Sequence, residues 1–307
     1  MNEPTVASTT TPAAVILNPA GANGRAARLR KPLEQALRGG RGELFVTRSP
    51  AESQTVAAEA TLAGRPVVAV GGDGTIGVIA DAMMSAGARS SLGIVPAGTG
   101  NDYAYRTINM PHDQRQAIEV ALSGPPLAMD VGRVNGRHFL NSLGVGIDAN
   151  IAAAAEELKR LRVLRGQTLY WASSLRELLF HYNRCPHLRV TIDGKVDESH
   201  AYALAAVNIG PTTGGGFRIN PGADPRDGLF DLCILWKPSL LRALQLLPMV
   251  EKGTHIHQPE VKRLRAHTVA LQAEKPVYAH LDGEVITAQS FEVSMLPQAL
   301  LVRQPGP

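Results

Sequence analysis

Pro66-Val-Val-Ala-Val-Gly-Gly-Asp-Gly-Thr75 is the stretch from which the fold of this 307-residue chain is read. Pro66 to Val70 is apolar without alternation, as a parallel strand buried on both faces would be. Glycines and an aspartate follow at once, and Gly74–Ser85 then carries apolar residues at helical spacing. The same unit repeats outward. Upstream, Ala14–Leu17 reads as a strand ending in Asn18-Pro19, and Gly24–Leu37 as a helix with Pro32 a kink or early stop. Glu43–Thr47 is a second strand and Glu52–Leu62 an alanine-rich helix. Downstream, Ser91–Val95 is a strand and Gln114–Leu122 a helix. Such alternation specifies a doubly wound parallel sheet with helices on both faces. Ligands of these sheets bind beyond the carboxyl ends of the strands.

The texture changes at Ser123-Gly-Pro-Pro126. Short turn-bounded strands are expected at Ala128–Val134, Arg137–Leu143, Leu188–Ile192, Tyr202–Asn208 and Leu229–Leu235, then at Val269–Gln272, Val277–His280 and Phe291–Met295. Helical stretches, Ala149–Tyr182 and Ser239–Lys252, interrupt them. The fold class is therefore α/β + β, an N-terminal parallel sheet followed by an antiparallel, β-sandwich-like domain, with the seam near residue 125.

Composition agrees and removes other classes. A hydrophobic fraction of 44% is too high for a disordered chain and enough for sizeable cores. Two cysteines, Cys185 and Cys233, make no disulfide framework and read as thiols of a reduced cytoplasm. A formal charge of +4 suits phosphate groups or an acidic membrane surface, and without a basic stripe it does not indicate nucleic acid. The Thr-rich start has no secretory pattern, and no apolar run approaches the ~20 residues of a spanning helix. A soluble chain is expected.

Three loops at one sheet edge carry the chemistry. Gly71-Gly-Asp-Gly-Thr75 opens a helix, so its amides and the helix dipole favour a phosphate, and Asp73 could hold a Mg2+ bridging phosphates. Read alone it is equally a tight turn with an Asp cap. Pro96-Ala-Gly-Thr-Gly-Asn-Asp102 adds the Thr99 hydroxyl, the Asn101 amide and a second carboxylate at Asp102. The remaining loop, first in chain order, is Asn18-Pro-Ala-Gly-Ala-Asn-Gly24, followed by Arg25 and Arg28. Two glycine loops on adjacent strands, each with an aspartate, exceed what turns alone require. Gly72-x-Gly74-x-x-Gly77 fits the dinucleotide pattern only formally, since no acidic residue ends the next strand, and no G-x-x-x-x-G-K-[ST] occurs.

These motifs, in this order and spacing, resemble the diacylglycerol kinase catalytic domain family, which includes bacterial lipid kinases and sphingosine kinases and is related to the NAD kinases. The likeness continues through Asp130-Val-Gly-Arg133, Phe139-Leu-Asn-Ser-Leu-Gly-Val-Gly-Ile-Asp148, Gly214–Pro221, Asp224-Pro-Arg-Asp-Gly-Leu-Phe-Asp231 and Leu281-Asp-Gly-Glu284, covering about residues 13–303. It implies an NAD kinase-like nucleotide domain over 13–125, a lipid-substrate domain over 126–295, and a return of 296–307 to the first. Asn18, Pro19, Ala20, Gly21, Ala22, Thr47, Gly71, Gly72, Asp73, Gly74, Thr75, Ile76, Thr99, Asn101 and Asp102 would line the ATP site. Asp73 and Asp102 would organise the catalytic Mg2+. Glu284, with Asp282 beside it, would accept the proton of a lipid hydroxyl. Asp224, Asp227 and the Leu229 carbonyl match a structural Mg2+ site. Read alone, Asp282-Gly-Glu284 is a hairpin turn and Asp224–Gly228 a solvated one.

Some positions depart from the family. Gly77-Val78 stand where relatives usually have Asn-Glu, Ala22 replaces a frequent glycine, and Tyr105-Arg106 lies one residue later than the usual Phe-Ala-Arg. Lys159-Arg-Leu-Arg-Val-Leu-Arg165 is either a solvated helix face or a contact for anionic headgroups. His255 and His257 read as surface residues of an extended segment, Trp171 and Trp236 as core. The expected activity is transfer of the ATP γ-phosphate to a lipid hydroxyl, diacylglycerol first, by a cytoplasmic enzyme that visits the membrane and is compatible with a homodimer. The alternatives are an NAD kinase-like enzyme and a non-catalytic lipid- or nucleotide-binding module.

Overall fold

The computed structural model describes residues 11–159, 166–182, 185–196 and 200–306. Four five-residue strands, β1 (Ala13–Leu17), β2 (Gly42–Val46), β3 (Val67–Gly71) and β4 (Leu92–Pro96), run parallel in the order β2-β1-β3-β4. β1, β3 and β4 are buried along their whole length, which is why their sequences do not alternate. Successive residues feed opposite layers. Ile16, Ala69 and Ile94 pack against Ile76 and Ile79 of α3 (Asp73–Ser85) and Ala57 of α2 (Pro50–Leu62). Val15, Val70 and Val95 pack against Leu33 of α1 (Arg30–Ala36) and Ile118 of α4 (Gln114–Ser123). Each fully buried aliphatic side chain contributes about 1.5–3 kcal/mol. Ser49 caps α2 by accepting the Glu52 N–H, with Pro50 at the first helical position, so this helix starts two residues before the expected Glu52.

The helix expected over Gly24–Leu37 is shorter. Residues Gly21–Gly24 and Ala26–Leu29 form 3-10 turns, and α1 begins at Arg30. Pro32 lies in its first turn, where a missing N–H costs nothing, so it neither kinks nor stops the helix.

The second half is antiparallel. It holds β5 (Pro126–Val134), β6 (Arg137–Phe139), β7 (Ser142–Gly146), β8 (His187–Ile192), β9 (Lys195–Val196), β10 (His200–Asn208), β11 (Phe230–Trp236), β12 (Val261–Ala266), β13 (Thr268–Leu281) and β14 (Glu284–Arg303). Phe139, Tyr202, Phe230 and Phe291 fill its core. α5 (Ile147–Lys159) and α6 (Gly166–His181) replace the single helical stretch expected over Ala149–Tyr182, and the basic run beyond Lys159 lies outside the described residues. α6 and α7 (Leu240–Lys252) cover the outer face of β10 and β11 through Leu178, Ala243 and Leu247.

Other expectations change too. Arg137–Leu143 is not one strand: it breaks at Leu140 and Asn141, for a reason given below. The strands expected at 269–272 and 277–280 are one, β13, with a register shift between Gln272 and Val277. β12 carries charges on an edge and gave no apolar signal. His255 is buried in a 3-10 turn, its Nε2 near the Ile219 carbonyl oxygen at 3.1 Å, and Trp236 is partly exposed at the end of β11.

β14 joins the halves. Its first part pairs with β13 and β5 in the antiparallel region, and near its end Val302 lies parallel to Leu92 of β4. The parallel and antiparallel regions thereby form one continuous sheet.

Candidate active site

The glycine loops meet at the carboxyl edge of the parallel strands. A Cβ on Gly98 would stand 2.6 Å from the Gly72 Cα and 2.5 Å from the Asn101 Oδ1, so the two loops touch backbone to backbone only with glycine there. Gly72 is the N-cap of α3 and no side chain closes that end, leaving the helix start suited to an anion. Asn101, in the left-handed region at φ 51°, donates its N–H to the Asp73 Oδ2 at 2.8 Å, while its side chain bridges the N–H and carbonyl of Gly98. In the first loop the Asn18 Oδ1 accepts the Ala20 N–H at 3.1 Å and Gly21 donates to the Asn18 carbonyl at 3.0 Å. Ala22 belongs to the following 3-10 turn. Arg25 donates to the Thr99 hydroxyl, tying the first loop to the third. Thr47 is buried, its hydroxyl 2.7 Å from that of Ser53.

A small polar pocket opens between the halves, lined by Asp73, Ile76, Gly77, Asp102 and Tyr103 from one side and by Leu140–Ser142, Thr213, Gly214, Asp282 and Gly283 from the other. Asp102 is buried. Its Oδ1 accepts from the Thr212 hydroxyl at 3.0 Å and from Arg106 at 3.2 Å, and its Oδ2 accepts the Gly215 N–H at 2.6 Å. Arg106 thus serves Asp102 and the carbonyls of Gly100 and Gly215. Desolvation pushes the Asp102 carboxyl up against these donors. Asp73 keeps part of its surface open to the pocket, yet desolvation and the neighbouring Asp102 push it up to about 7.

Asp282 sits in the β13–β14 turn with φ 49°. Its Oδ2 accepts the Leu140 N–H at 2.7 Å, and its Oδ1 accepts those of Asn141 and Ser142 at 2.9 and 2.8 Å. These bonds take the amides that a continuous Arg137–Leu143 strand would have used, and they explain its break. Desolvation still raises the Asp282 carboxyl, and the three N–H groups pull the other way. Glu284 is half-exposed, outside the pocket lining, and its carboxylate is forked onto Arg137 at 2.7 and 3.3 Å.

The turn bearing Asp224, Asp227 and Leu229 lies elsewhere. The Asp224 Oδ1 accepts the Arg226 N–H at 3.1 Å, the Asp227 Oδ1 accepts the Leu229 N–H at 3.0 Å, and the Asp227 Oδ2 is taken by Arg265. As the structure stands, the Asp227 carboxylate is paired with Arg265. Among the described residues no group of three or more His, Cys, Asp or Glu side chains is arranged to hold a metal ion. Asp73 and Asp102 do suit one as a pair: two carboxylates pushed up by desolvation, the first also by the second, are relieved by a shared cation.

Several residues were not singled out from sequence. Asn141 links the halves, accepting from the Thr107 hydroxyl at 3.0 Å and donating to the Thr212 carbonyl at 2.8 Å. Buried Asp130 accepts the N–H groups of Gly228 at 2.7 Å and Gln298 at 2.8 Å. His280 and Asp148 form a largely buried pair at 2.6 Å. A Cβ on Gly144 would stand 2.3 Å from both partners, so this glycine makes their room. Burial opposes a charge on His280, but Asp148 prevails and its pKa is raised. The signal for Asn141, Asp130 and Asp148 was their place inside the quoted motifs; His280 had none beyond lying two residues before Asp282.

Behind the pocket, and sharing Thr213, Gly214 and nothing else with it, an apolar cavity of about 700 Å³, counting space open to solvent, lies between the sheet and α5, α6 and α7. Ile151, Leu178, Phe217, Leu235, Leu246 and Val250 are among its walls.

Glycine loops at a helix start, facing a carboxylate pocket closed by a second, β-rich half, suit a phosphotransferase working between two lobes. Comparison with known proteins gives the family. Residues 12–134 match the diacylglycerol kinase catalytic domain, and residues 141–304 match the YegS C-terminal NAD kinase beta sandwich-like domain. A diacylglycerol kinase of Bacillus subtilis is 30% identical over 224 residues, covering 71% of this chain and 70% of the relative. One of Mycobacterium tuberculosis is 32% identical, covering 78% and 76%. A Bacillus anthracis diacylglycerol kinase structure superposes with a TM-score of 0.70 at 17% identity, covering 97% of this chain and 98% of the other. An ATP-bound NAD kinase from Archaeoglobus fulgidus gives 0.54 at 12%, covering 95% and 93%. These two likenesses concern the fold alone. The chain belongs to the diacylglycerol kinase family and is a kinase, which implies ATP as phosphate donor.

Proposed function

We propose that this kinase transfers the ATP γ-phosphate to the hydroxyl of a membrane lipid, with diacylglycerol as the leading acceptor and phosphatidic acid as the product. The observation that carries this reading is the juncture of the apolar cavity with the carboxylate pocket at Thr213 and Gly214. An acceptor with apolar chains and one hydroxyl end fits both compartments at once, whereas a dinucleotide has nothing to place in the cavity.

The donor's phosphates lie on the amides of the Asn18–Ala22, Gly71–Ile76 and Gly98–Asn101 loops, at the start of α3. Asp73 and Asp102 would hold Mg2+, which supplies charge neutralisation to the phosphates when bound. Asp282, on the acceptor side, takes the hydroxyl proton as the acceptor oxygen bonds to the γ-phosphorus and the bond to ADP breaks. Its place in the pocket supports this role, and Glu284 on Arg137 holds the rim. We place the nucleotide site in residues 13–125 and the acceptor site in 126–295. Among the described residues no helix is long and apolar enough to cross a membrane. On this reading the enzyme meets its lipid at the bilayer surface. Exposed Leu175, Leu179 and Phe180 on α6, with Leu240 and Leu241 on α7, support contact through these helices, whose inner faces line the cavity.

The test is a radiolabelled-ATP assay with mixed micelles containing diacylglycerol, phosphatidylglycerol or a sphingoid base, with NAD as a parallel acceptor. Label in the organic phase with diacylglycerol, lost in Asp73→Ala, is expected. Label on NAD and on no lipid would replace this reading by a NAD kinase-like one.

A further inference from the structure

Leu140 and Asn141 fall between β6 and β7, off the strand ladder, so sheet pairing does not fix where they stand. The Asn141 side chain is buried, and its Nδ2 donates to the Thr212 carbonyl at 2.8 Å. A carbonyl only accepts, which sets the orientation of the amide and turns its Oδ1 to the Thr107 hydroxyl at 3.0 Å. Gly210 leaves room for that bond. A Cβ there would stand 2.1 Å from the Asn141 Oδ1 and 2.3 Å from the Thr107 Oγ1. The Asn141 carbonyl in turn accepts the Ile209 N–H at 2.8 Å.

Both partners of the carboxamide belong to segments that hold Asp102. The Thr212 hydroxyl donates to the Asp102 Oδ1, and Thr107 closes the π-helical turn Tyr103–Thr107, which starts directly after Asp102 and carries its partner Arg106. The backbone of the same asparagine serves the other side of the pocket. Its N–H donates to the Asp282 Oδ1 at 2.9 Å, between the donors Leu140 and Ser142. One residue therefore lies on the hydrogen-bond path from Asp102 to Asp282. We propose that Asn141 is a positioning residue: it sets where Asp282 stands relative to Asp102, and through them the acceptor hydroxyl relative to the donor's phosphates. The inference rests on the reading that Asp102 serves the donor side and Asp282 the acceptor side.

The test uses the full chain with Asn141→Ala, Thr107→Val and Thr107→Ser, assayed well below each thermal midpoint on the acceptor that wild type uses best. Asn141→Ala should lower kcat about 10²-fold and Thr107→Val about tenfold, since a misplacement of about 1 Å costs up to that much. KM for ATP should stay within about threefold, because the loss falls on the chemical step. Thr107→Ser restores the donor and should return kcat to near wild type. If Asn141→Ala does not fold, Thr107→Val decides. A merely structural carboxamide would lower the midpoint and leave kcat of the folded enzyme unchanged. Wild-type kcat in either folded variant, Asn141→Ala or Thr107→Val, therefore overturns the inference, as does a loss seen only in KM for ATP. Asp282→Asn is measured beside them. Full activity in that variant overturns the assignment of the base and this inference with it, whereas its inactivity beside a wild-type kcat in Thr107→Val overturns this inference alone.

Discussion

Asp282 and Glu284 stand two residues apart on one hairpin, yet one carboxylate faces the pocket with three backbone N–H groups while the other lies half-exposed on an arginine. The difference comes from the backbone. Asp282 occupies a left-handed turn position, off the strand ladder, and from there reaches the broken segment Leu140–Ser142. Glu284 is the first residue of β14, paired opposite Leu281, and its outer surroundings offer Arg137. A motif can supply two candidate bases, and local φ and the nearest donors then separate them.

The comparison breaks most directly by activity. Asp282→Asn is expected to lower kcat about 10²–10⁴-fold, the contribution of a positioned proton acceptor, with Glu284→Gln well within tenfold of wild type. Steady-state kinetics on the preferred lipid checks this, and the reverse order would return the role to Glu284.

A second contrast sets charges inside the pocket wall against those on its rim. Asp148→Asn leaves His280 without its partner and should cost about 3–5 kcal/mol in urea unfolding near pH 6. Asp148 from α5, Asp282 from its own hairpin and Asp102 beyond it face this histidine and raise its pKa. The stabilisation is thus complete below the ordinary histidine pKa and is lost as pH rises through the raised value, so the wild-type advantage should shrink at pH 9.

Asp73 tests the same logic with the opposite sign of charge. Its carboxyl is raised to about 7, so the folded state holds a proton that the unfolded chain releases near 4. Stability falls as pH rises from about 4 to 7. Asp73→Asn removes that penalty and should melt above wild type at pH 8, with the gap closing toward pH 4. Mg2+ with a non-hydrolysable ATP analogue should raise the melting point of wild type more than that of the variant.

The smallest effect belongs to the rim. Arg137→Ala should change stability by no more than about 1 kcal/mol, and less at high salt, because the Arg137–Glu284 pair is solvent-exposed.

The parallel half was legible because its strands are short, apolar and punctuated by glycine, so the sequence pattern and the layers coincide. The antiparallel half was less so. β12 shows charges, the Arg137–Leu143 run hides a break made by a residue some 140 positions later, and β13 conceals a bulge inside what reads as two strands. The fate of His255 was decided by packing that extended periodicity does not record. In the site, Asp73, Asp102, Asn101 and Asp282 could be found by motif, and the pocket brings the three carboxylates together. The Asp148–His280 pair could not, since its members are 132 positions apart, on α5 and β13, and meet only where a glycine of β7 leaves room.

The long final strand has a mechanical consequence. β14 and β5 form a two-stranded beam running from the sandwich into the parallel sheet, and its register shifts between Leu296 and Leu300, where Gln298 is left-handed. Asp130 grips the N–H of Gln298 at that spot and the N–H of Gly228 beside it. A change in the angle between the halves would therefore have to bend a hydrogen-bonded ribbon at this clamped spot.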